Sequence, residues 1–459
     1  MSNTALSEAL PVRVPLVREE TGIWKSLQMA RKNVLAIIPE VATTLPIVSG
    51  KTGKRWHMIM DPGGIRQMLL DRLDTYPKSI VTKNLLQPAI GESLFIAEGA
   101  NWRWQRRTAA PVFTHRNMMN LAPIMTAAAE RCANRISAAG PRAVNLLDEM
   151  VSTTFDIIAD VTFSGDGTFD RSSIHRAIDD YISNAGKISL FDIMGAPDWV
   201  PRPGRIVQGA AMRDTKAIAD RAIEARAARP HDGVPDLLDL LMAGEDPETG
   251  RKMTTAELRD NLLTFIVAGH ETTALTLAWS MYLVAFDPAV QDRARAEAHS
   301  VLQGRPACGD DIRNLPFIRQ IIDEALRLYP PAGMVSRTAM ADDVLCGREI
   351  RKGDTCIIPI YAVHRSKLLW DDPDTFRPDR FADRKSVDRY AYLPFGDGPR
   401  ICIGASFALQ EAVIILATML SRFKFSPVPG KEPEPVMILT LRPEGGVWLM
   451  AEPVQPQMA

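Results

Sequence analysis

Cysteine is scarce in this chain and forms no pattern. The five (Cys132, Cys308, Cys346, Cys356 and Cys402) are an odd number in 459 residues, and no two share a C-x-x-C spacing. That excludes a disulfide framework or a structural zinc site and fits a reducing compartment. An excess of charge is missing too. Basic residues number 54 against 55 acidic ones, a formal net charge of −1, so nothing favours nucleic acid or an anionic membrane surface as partner. Long apolar runs are absent: the longest, near 262–269 and 412–420, fall well short of the ~20 residues that span a bilayer, and no membrane span is expected. Residues 1–18 are polar and proline-broken, without the charged-then-apolar order of an export signal. Internal repeats, low-complexity segments and convincing linkers are also lacking. Length by itself suggests about two or three domains; without a linker, one domain over 1–459 is expected, in a soluble cytoplasmic protein.

What the chain does hold is concentrated in Phe395-Gly396-Asp397-Gly398-Pro399-Arg400-Ile401-Cys402-Ile403-Gly404, a glycine-rich loop running into an apolar-periodic helix. Unpaired N–H groups and the positive dipole at a helix start stabilise a thiolate, the form of cysteine that binds a soft metal. Gly396 and Gly398 permit the φ > 0 turns that present the sulfur outward. Gly404, without a side chain, lets a large flat ligand approach the backbone. Arg400 is a cation two residues from the sulfur, suited to a carboxylate on that ligand, and Phe395 is an apolar wall. A buried structural cysteine would be the plainer reading of a lone Cys.

Three other stretches bear on this one. Trp102 and Arg106 fall on one helical face, where an indole N–H and a guanidinium can clamp a carboxylate. A long helical pattern over 254–286 opens with Thr254-Thr255-Ala256-Glu257, close to a capping box, and has Ala268-Gly269-His270-Glu271-Thr272-Thr273 at its centre. Glycine there costs roughly 1 kcal/mol against alanine, and a buried glutamate needs a partner. A cofactor plane against Ala268-Gly269 explains the small residues, and Thr272, turning its hydroxyl to the helix backbone, opens a local gap beside it. A helix-packing glycine with a polar face is the alternative. Finally, Glu324-Ala325-Leu326-Arg327 closes a helix before Tyr329-Pro330-Pro331, with Arg380 further on in Phe376–Phe381.

The spacing Phe-x-x-Gly-x-Arg-x-Cys-x-Gly resembles the heme-binding signature of the heme-thiolate monooxygenases, the cytochrome P450 family. The family's other motifs follow in order along most of the chain. The resemblance implies a mainly α fold with a small β-rich lobe, the cytochrome P450 fold, and a b-type heme (iron protoporphyrin IX) with Cys402 as axial ligand. It implies that Trp102, Arg106 and Arg337 hold heme propionates and that Glu271 and Thr272 form the proton-delivery pair. His270 occupies the motif's variable position and reads as packing. Glu324, Arg327 and Arg380 are implied to form a buried ion network behind the Cys402 loop. The implied reaction is O2-dependent hydroxylation or epoxidation of a lipophilic small molecule. Its electrons come from NAD(P)H through a ferredoxin or flavodoxin and its reductase, since no flavin or iron–sulfur region is legible. A peroxygenase or isomerase is the second reading, although those branches tend to lack the acid–threonine pair; a heme sensor is the third, and would not need a proton relay.

Substrate-lining candidates are 80–96, Phe265, Ala268, 332–335 and 437–439, all mainly apolar. Arg103, Arg107 and Arg400 are expected to form a basic patch for the redox partner. The frame around these motifs reads as a strand at 54–60, a helix from 61 to about 73 and an apolar loop over 78–97. Then come mostly helix over 117–229 with breaks at 197–203 and 229–235, a strand at 334–339 and short strands over 346–359. The chain ends with irregular chain over 361–394, a helix over 405–423 and a terminal hairpin over 425–451.

Overall fold

A capping box does start the long central helix. Thr254 Oγ1 accepts from the Glu257 N–H at 3.3 Å and Glu257 Oε2 accepts from the Thr254 N–H at 2.9 Å, satisfying two otherwise orphaned donors. The computed structural model describes residues 10–19, 22–140, 142–162, 203–229 and 233–454, and among these the chain is mainly helical. In order the helices are α1 (Ile23–Lys32), α2 (Pro62–Arg66), α3 (Ile80–Ile90), α4 (Gly99–Ala109), α5 (His115–Ala139), α6 (Leu146–Thr162), α7 (Pro203–Ala228), α8 (Leu237–Ala243), α9 (Thr255–Phe286), α10 (Pro288–Leu302), α11 (Pro316–Leu328), α12 (Ile360–Val363) and α13 (Ala405–Arg422). The expected break at 197–203 lies outside the described residues up to Pro203, where α7 begins, and the break at 229–235 lies partly outside them.

Helix α9 is the axis of the molecule. It is apolar nearly all round, which marks a helix buried on every side, and it packs against α6, α7, α11 and α13. Helix α13 was expected from an apolar run too short to span a bilayer. Taken as a whole helix, Ala405–Arg422 is long and apolar enough to cross a membrane, yet 67% of it is buried inside the fold, against α5, α9, α10 and α11.

The segment expected as a loop over 78–97 is half helix. Ser79 caps α3 by accepting from the Thr82 N–H at 3.2 Å, and Gly91, at φ +54°, ends it. Pro88 and the absence of a clean apolar period hid it; Pro88 stands in the last turn, where it removes one of the helix's backbone bonds close to its end. The segment is tied down on α9, with the Leu94 N–H donating to Asn261 at 2.9 Å and the Glu92 N–H to Asp260 at 3.2 Å. The expected helix from 61 begins as α2 but continues as a π turn over Gln67–Asp71 and a 3-10 turn over Leu73–Thr75.

The β structure is small and drawn from distant parts of the chain. Strands β1 (Ile47–Thr52) and β2 (Lys54–Ile59) pair in antiparallel register, Ile47 opposite Ile59. After β3 (Ala143–Asn145) come β4 (Val335–Thr338), β5 (Asp343–Leu345), β6 (Arg348–Ile350) and β7 (Thr355–Ile358), then β8 (Phe423–Pro427), β9 (Glu434–Met437), β10 (Leu441–Glu444) and β11 (Trp448–Pro453). The main sheet has the order β1-β2-β7-β4, with β7 parallel to β2. The expected terminal hairpin is two ribbons: β11 pairs with β8 and β3, and β9 pairs with β10 between them.

Candidate functional site

Glycine geometry builds the Cys402 loop. Gly396 (φ +68°) and Gly398 (φ +71°) both lie in the left-handed region. A Cβ at Gly398 would come within 2.2 Å of the Leu69 carbonyl oxygen, whereas one at Gly396 would meet nothing within 4 Å. The Cys402 N–H donates to the Phe395 carbonyl at 2.9 Å, closing the turn. Behind the loop, Arg327 grips both oxygens of Glu324 at 2.7 and 2.8 Å and donates to the carbonyls of His364 (2.8 Å), Pro373 (2.6 Å) and Thr375 (3.0 Å). Arg380 joins at 3.3 Å. Every donor of a buried guanidinium needs such a partner. The network reaches the loop through His364, whose Nε2 accepts from the Leu393 N–H at 2.8 Å.

Cys402 sits deep among protein atoms and is nonetheless accessible, so its sulfur faces an internal space. Burial pushes the thiol up from its ordinary value; the Gly404 N–H and the Arg106 guanidinium pull the other way without winning. That is opposite to the expectation from the helix dipole, because desolvation outweighs one N–H and one cation. A metal cation on the sulfur reverses this balance by deprotonating the thiol outright.

On α9 the only break in burial over the central turns falls at Val267, Ala268, Gly269 and Thr272. Phe113 links this stripe to the loop: its ring lies 5.4 Å from that of Phe265, and its Cε1 is 4.0 Å from where a Gly404 Cβ would stand. Thr272 Oγ1 donates to the Ala268 carbonyl at 2.7 Å and Thr273 Oγ1 to that of Gly269 at 3.0 Å. Ala268 opens to the space, but a Cβ on Gly269 would meet Ile158 of α6 at 3.3 Å. Gly269 thus serves helix packing, the alternative reading, and Ala268 provides the open surface. His270 is buried, its Nδ1 2.9 Å from the Ile266 carbonyl and its ring edge-on to Phe155. Glu271 is buried against the ribbon of β9 and β10, accepting from Thr440 Oγ1 at 2.9 Å with Arg442 at 3.5 Å.

Three cations gather where the ligand carboxylates were expected, and one of them was not foreseen. Trp102 is buried and Arg106 half-buried on α4. Arg337 on β4 is 7% exposed and its Nε has no hydrogen-bond partner; burial first, then Arg400, brings it down to about 10. Lys78, whose backbone bridges that of Arg337, is held well below its usual range by burial and by Arg337 and Arg400. Glu98 is the carboxylate that faces them, and Arg400 has claimed it. Arg400 also donates to the Ala97 carbonyl at 3.0 Å and lies 4.4 Å over the Trp102 ring. It is not the free cation the loop suggested. Mutually repelling cations, one with an unpartnered Nε (Arg337) and another (Arg106) in the field of an accessible cysteine, fit a flat ligand carrying carboxylates. Lys78 carried no local signal, standing alone in a segment read as a loop.

The expected basic patch does not form from the three arginines named for it. Arg103 pairs with Asp74 at 2.9 Å, Arg107 with Asp246 at 2.7 Å and Glu248 at 3.1 Å, and Arg400 with Glu98. The apolar candidates 332–335 and 437–439 do meet, since a Cβ on Gly333 would touch the Met437 sulfur at 2.9 Å.

Comparison with known proteins agrees with this geometry. The family model described as Cytochrome P450 matches residues 20–453. The chain is 33% identical over 428 residues to the cyclooctat-9-en-7-ol 5-monooxygenase of Streptomyces melanosporofaciens, covering 92% of this chain and 90% of the relative. It is 30% identical to human cytochrome P450 4F12, over 95% of this chain and 86% of that one. Among solved structures, the cytochrome P450DA heme domain superposes with a TM-score of 0.80 at 26% identity, covering 97% of this chain and 99% of that one.

Proposed function

The chain belongs to the cytochrome P450 family, and from that premise we propose that it inserts one oxygen atom of O2 into a lipophilic small molecule by hydroxylation or epoxidation. As a family member it is a heme-thiolate monooxygenase, an oxidoreductase. When bound at Cys402, the heme supplies O2 binding and O–O cleavage, which a thiolate ligand favours. The residues do the rest. Cys402 holds the iron. Trp102, Arg106, Arg337 and Lys78 hold the carboxylates, with Arg400 steadying the Trp102 ring it covers. Phe395 and Gly404 border the sulfur, and Gly398 fixes its loop. Ala268 leaves room on α9, Gly269 sets the helix against α6, and Thr272 and Glu271 move protons inward.

The lining joined by Gly333 and Met437 is apolar, which supports an uncharged substrate; one relative is named for monooxygenation of cyclooctat-9-en-7-ol. Electrons are proposed to arrive from NAD(P)H through a ferredoxin or flavodoxin with its reductase. All five cysteines are free, in keeping with a reducing, cytoplasmic setting, and one domain over 1–459 is the proposed unit.

The observation that carries this reading is the accessible Cys402 in the field of the Arg106 guanidinium, with Arg337 Nε left without a partner on β4. The reduced, CO-bound protein should show the strongly red-shifted Soret band of a thiolate ligand, and Cys402→His should keep some heme while losing that band. An ordinary histidine-type band in the native protein would overturn the assignment.

A further inference from the structure

A second set of chemistry-bearing side chains lies on the main sheet, away from the Cys402 loop. Ser49 stands opposite His57, His57 opposite Cys356 and Cys356 opposite Arg337, so the four share one face. With the strand order β1-β2-β7-β4, Ser49 is at one edge of the sheet and Arg337 at the other, three spacings of ~4.8 Å away. His57 Nδ1 is 2.8 Å from Ser49 Oγ, and its Nε2 is 3.1 Å from Asp354 Oδ2. The same Asp354 oxygen accepts from the Arg351 N–H at 2.8 Å and faces Arg55 Nε at 3.2 Å. An oxygen ringed by donors accepts from the imidazole too, so Nε2 carries the hydrogen. In a neutral ring Nδ1 is then the acceptor, and the Ser49 hydroxyl donates to it. His57 is 3% and Asp354 6% exposed, whereas Ser49 is open to solvent. Lys51, also exposed, follows Ser49 by two residues on β1 and so falls on the same face.

We propose that Ser49, His57 and Asp354 form an ester-hydrolysing site at this sheet edge, separate from the heme chemistry, for small esters with a good leaving group. Ser49 Oγ bonds to the ester carbonyl carbon while its proton passes to His57 Nδ1. The carbon–oxygen bond to the leaving alcohol breaks, and the alcohol takes that proton with it. Water then attacks the acyl carbon and gives a proton to Nδ1, and the free acid departs as the proton returns to Ser49 Oγ. Nothing is oxidised or reduced. Asp354 is a positioning residue that fixes the tautomer and balances the imidazolium, and Lys51 supplies positive charge beside the developing oxyanion. The ring runs opposite to the common order, in which Nε2 meets the serine and Nδ1 the acid. Either nitrogen serves, since a neutral imidazole has one donor and one acceptor whichever way it is turned. Access follows from position: among the described residues no strand pairs with the outer side of β1.

The test is hydrolysis of p-nitrophenyl acetate by the heme-loaded enzyme without NAD(P)H or a redox partner, so that the oxygen chemistry is idle. Release of p-nitrophenol is followed with time, and acetylation is mapped by peptide mass spectrometry. The native protein should show a burst followed by steady turnover, with the acetyl group on Ser49. Ser49→Ala should lose both while keeping heme content and the CO band. His57→Gln and Asp354→Asn should each slow acylation roughly 10²-fold, the lower end of what positioned proton transfer supplies. In Asp354→Asn the loss should fall on kcat with KM unchanged, because that carboxylate acts on the ring and not on the ester. Equal release by the native protein and Ser49→Ala, with acetyl groups on surface lysines alone, would overturn the proposal. So would acetyl-Ser49 forming at the native rate in His57→Gln, or forming and never being released, since His57 serves both half-reactions. Should a variant of the buried pair not fold, Ser49→Ala, a change at an exposed position, decides by itself.

Discussion

Glu324 and Arg327 face each other three residues apart on α11, both oxygens gripped by the guanidinium at 2.7 and 2.8 Å, with neither side chain exposed at all. The Arg327 Nη groups reach three backbone carbonyls of the irregular segment leading to Cys402. The pair is thus the fastening of a loop that has little regular structure of its own.

Removing one partner leaves an uncompensated buried charge, which costs about 3–5 kcal/mol. Glu324→Ala and Arg327→Ala should each lower the free energy of unfolding by that amount, seen as a lower urea midpoint, and reduce heme retention together with it. Normal stability in either variant, measured by denaturant unfolding, would refute the fastening role.

Burial brings His364 down to about 3, with Arg327 the next cause. Its Nε2 accepts from the Leu393 N–H, so Nδ1 carries the proton and donates to the Arg327 carbonyl at 3.1 Å. Between pH 3 and the unfolded value of 6.5 the unfolded chain binds the extra proton, so stability rises with pH across that window and is lost on acidification. The slope approaches about 1.4 kcal/mol per pH unit. Urea midpoints at pH 5 and pH 7 should differ less in His364→Gln than in the native protein.

Lys78 and Arg337 should show effects of opposite sign with and without heme. Loss of a charge-assisted bond to a carboxylate is worth about 1.5–3 kcal/mol, so Lys78→Met should release heme roughly ten- to hundred-fold faster to an acceptor protein. The heme-free variant should be no less stable than the heme-free native chain, since a buried, repelled cation has gone. Unchanged heme release would remove Lys78 from the site.

The two loop glycines differ in what surrounds them, and alanine should tell them apart. Gly396→Ala meets only the left-handed backbone penalty, about 1–2 kcal/mol. Gly398→Ala adds a collision with the Leu69 carbonyl at 2.2 Å and should shift the loop. A thermal melt and the CO band measure both; equal losses would contradict this distinction.

Thr272→Ala should keep heme content, substrate affinity and NAD(P)H consumption while converting less of that consumption to product and releasing more hydrogen peroxide. The Thr272 hydroxyl donates to the Ala268 carbonyl at 2.7 Å, which leaves its lone pairs free to orient a water. Equal coupling of product to NAD(P)H in both proteins would argue against the role, and full activity on peroxide alone would favour a peroxygenase.

Features carried by contiguous residues were legible before any coordinates. The turns at Gly396 and Gly398, the capping box at Thr254 and Glu257, the Thr272 back-bond and the Glu324–Arg327 pair each depend on neighbours within a few residues, where helix and turn geometry act alone. The loop's cysteine and its order relative to α9 likewise follow from spacing.

Tertiary packing decided everything that depends on which distant group arrives first. Arg400 carries the same charge in the sequence as in the fold, but Glu98 neutralises it, as Asp246 does Arg107. Gly269 looks like a cofactor platform until Ile158 stands 3.3 Å from its missing Cβ. Lys78 and Arg337 come together only because β4 bridges residue 78, and Glu271 meets Thr440 and Arg442 only because the ribbon of β9 and β10 folds back onto α9. Charge and size are properties of a residue and can be read along the chain; whether a charge is paired, or a small residue faces a helix or an open space, belongs to the contact, and contacts between remote segments exist only in the folded molecule.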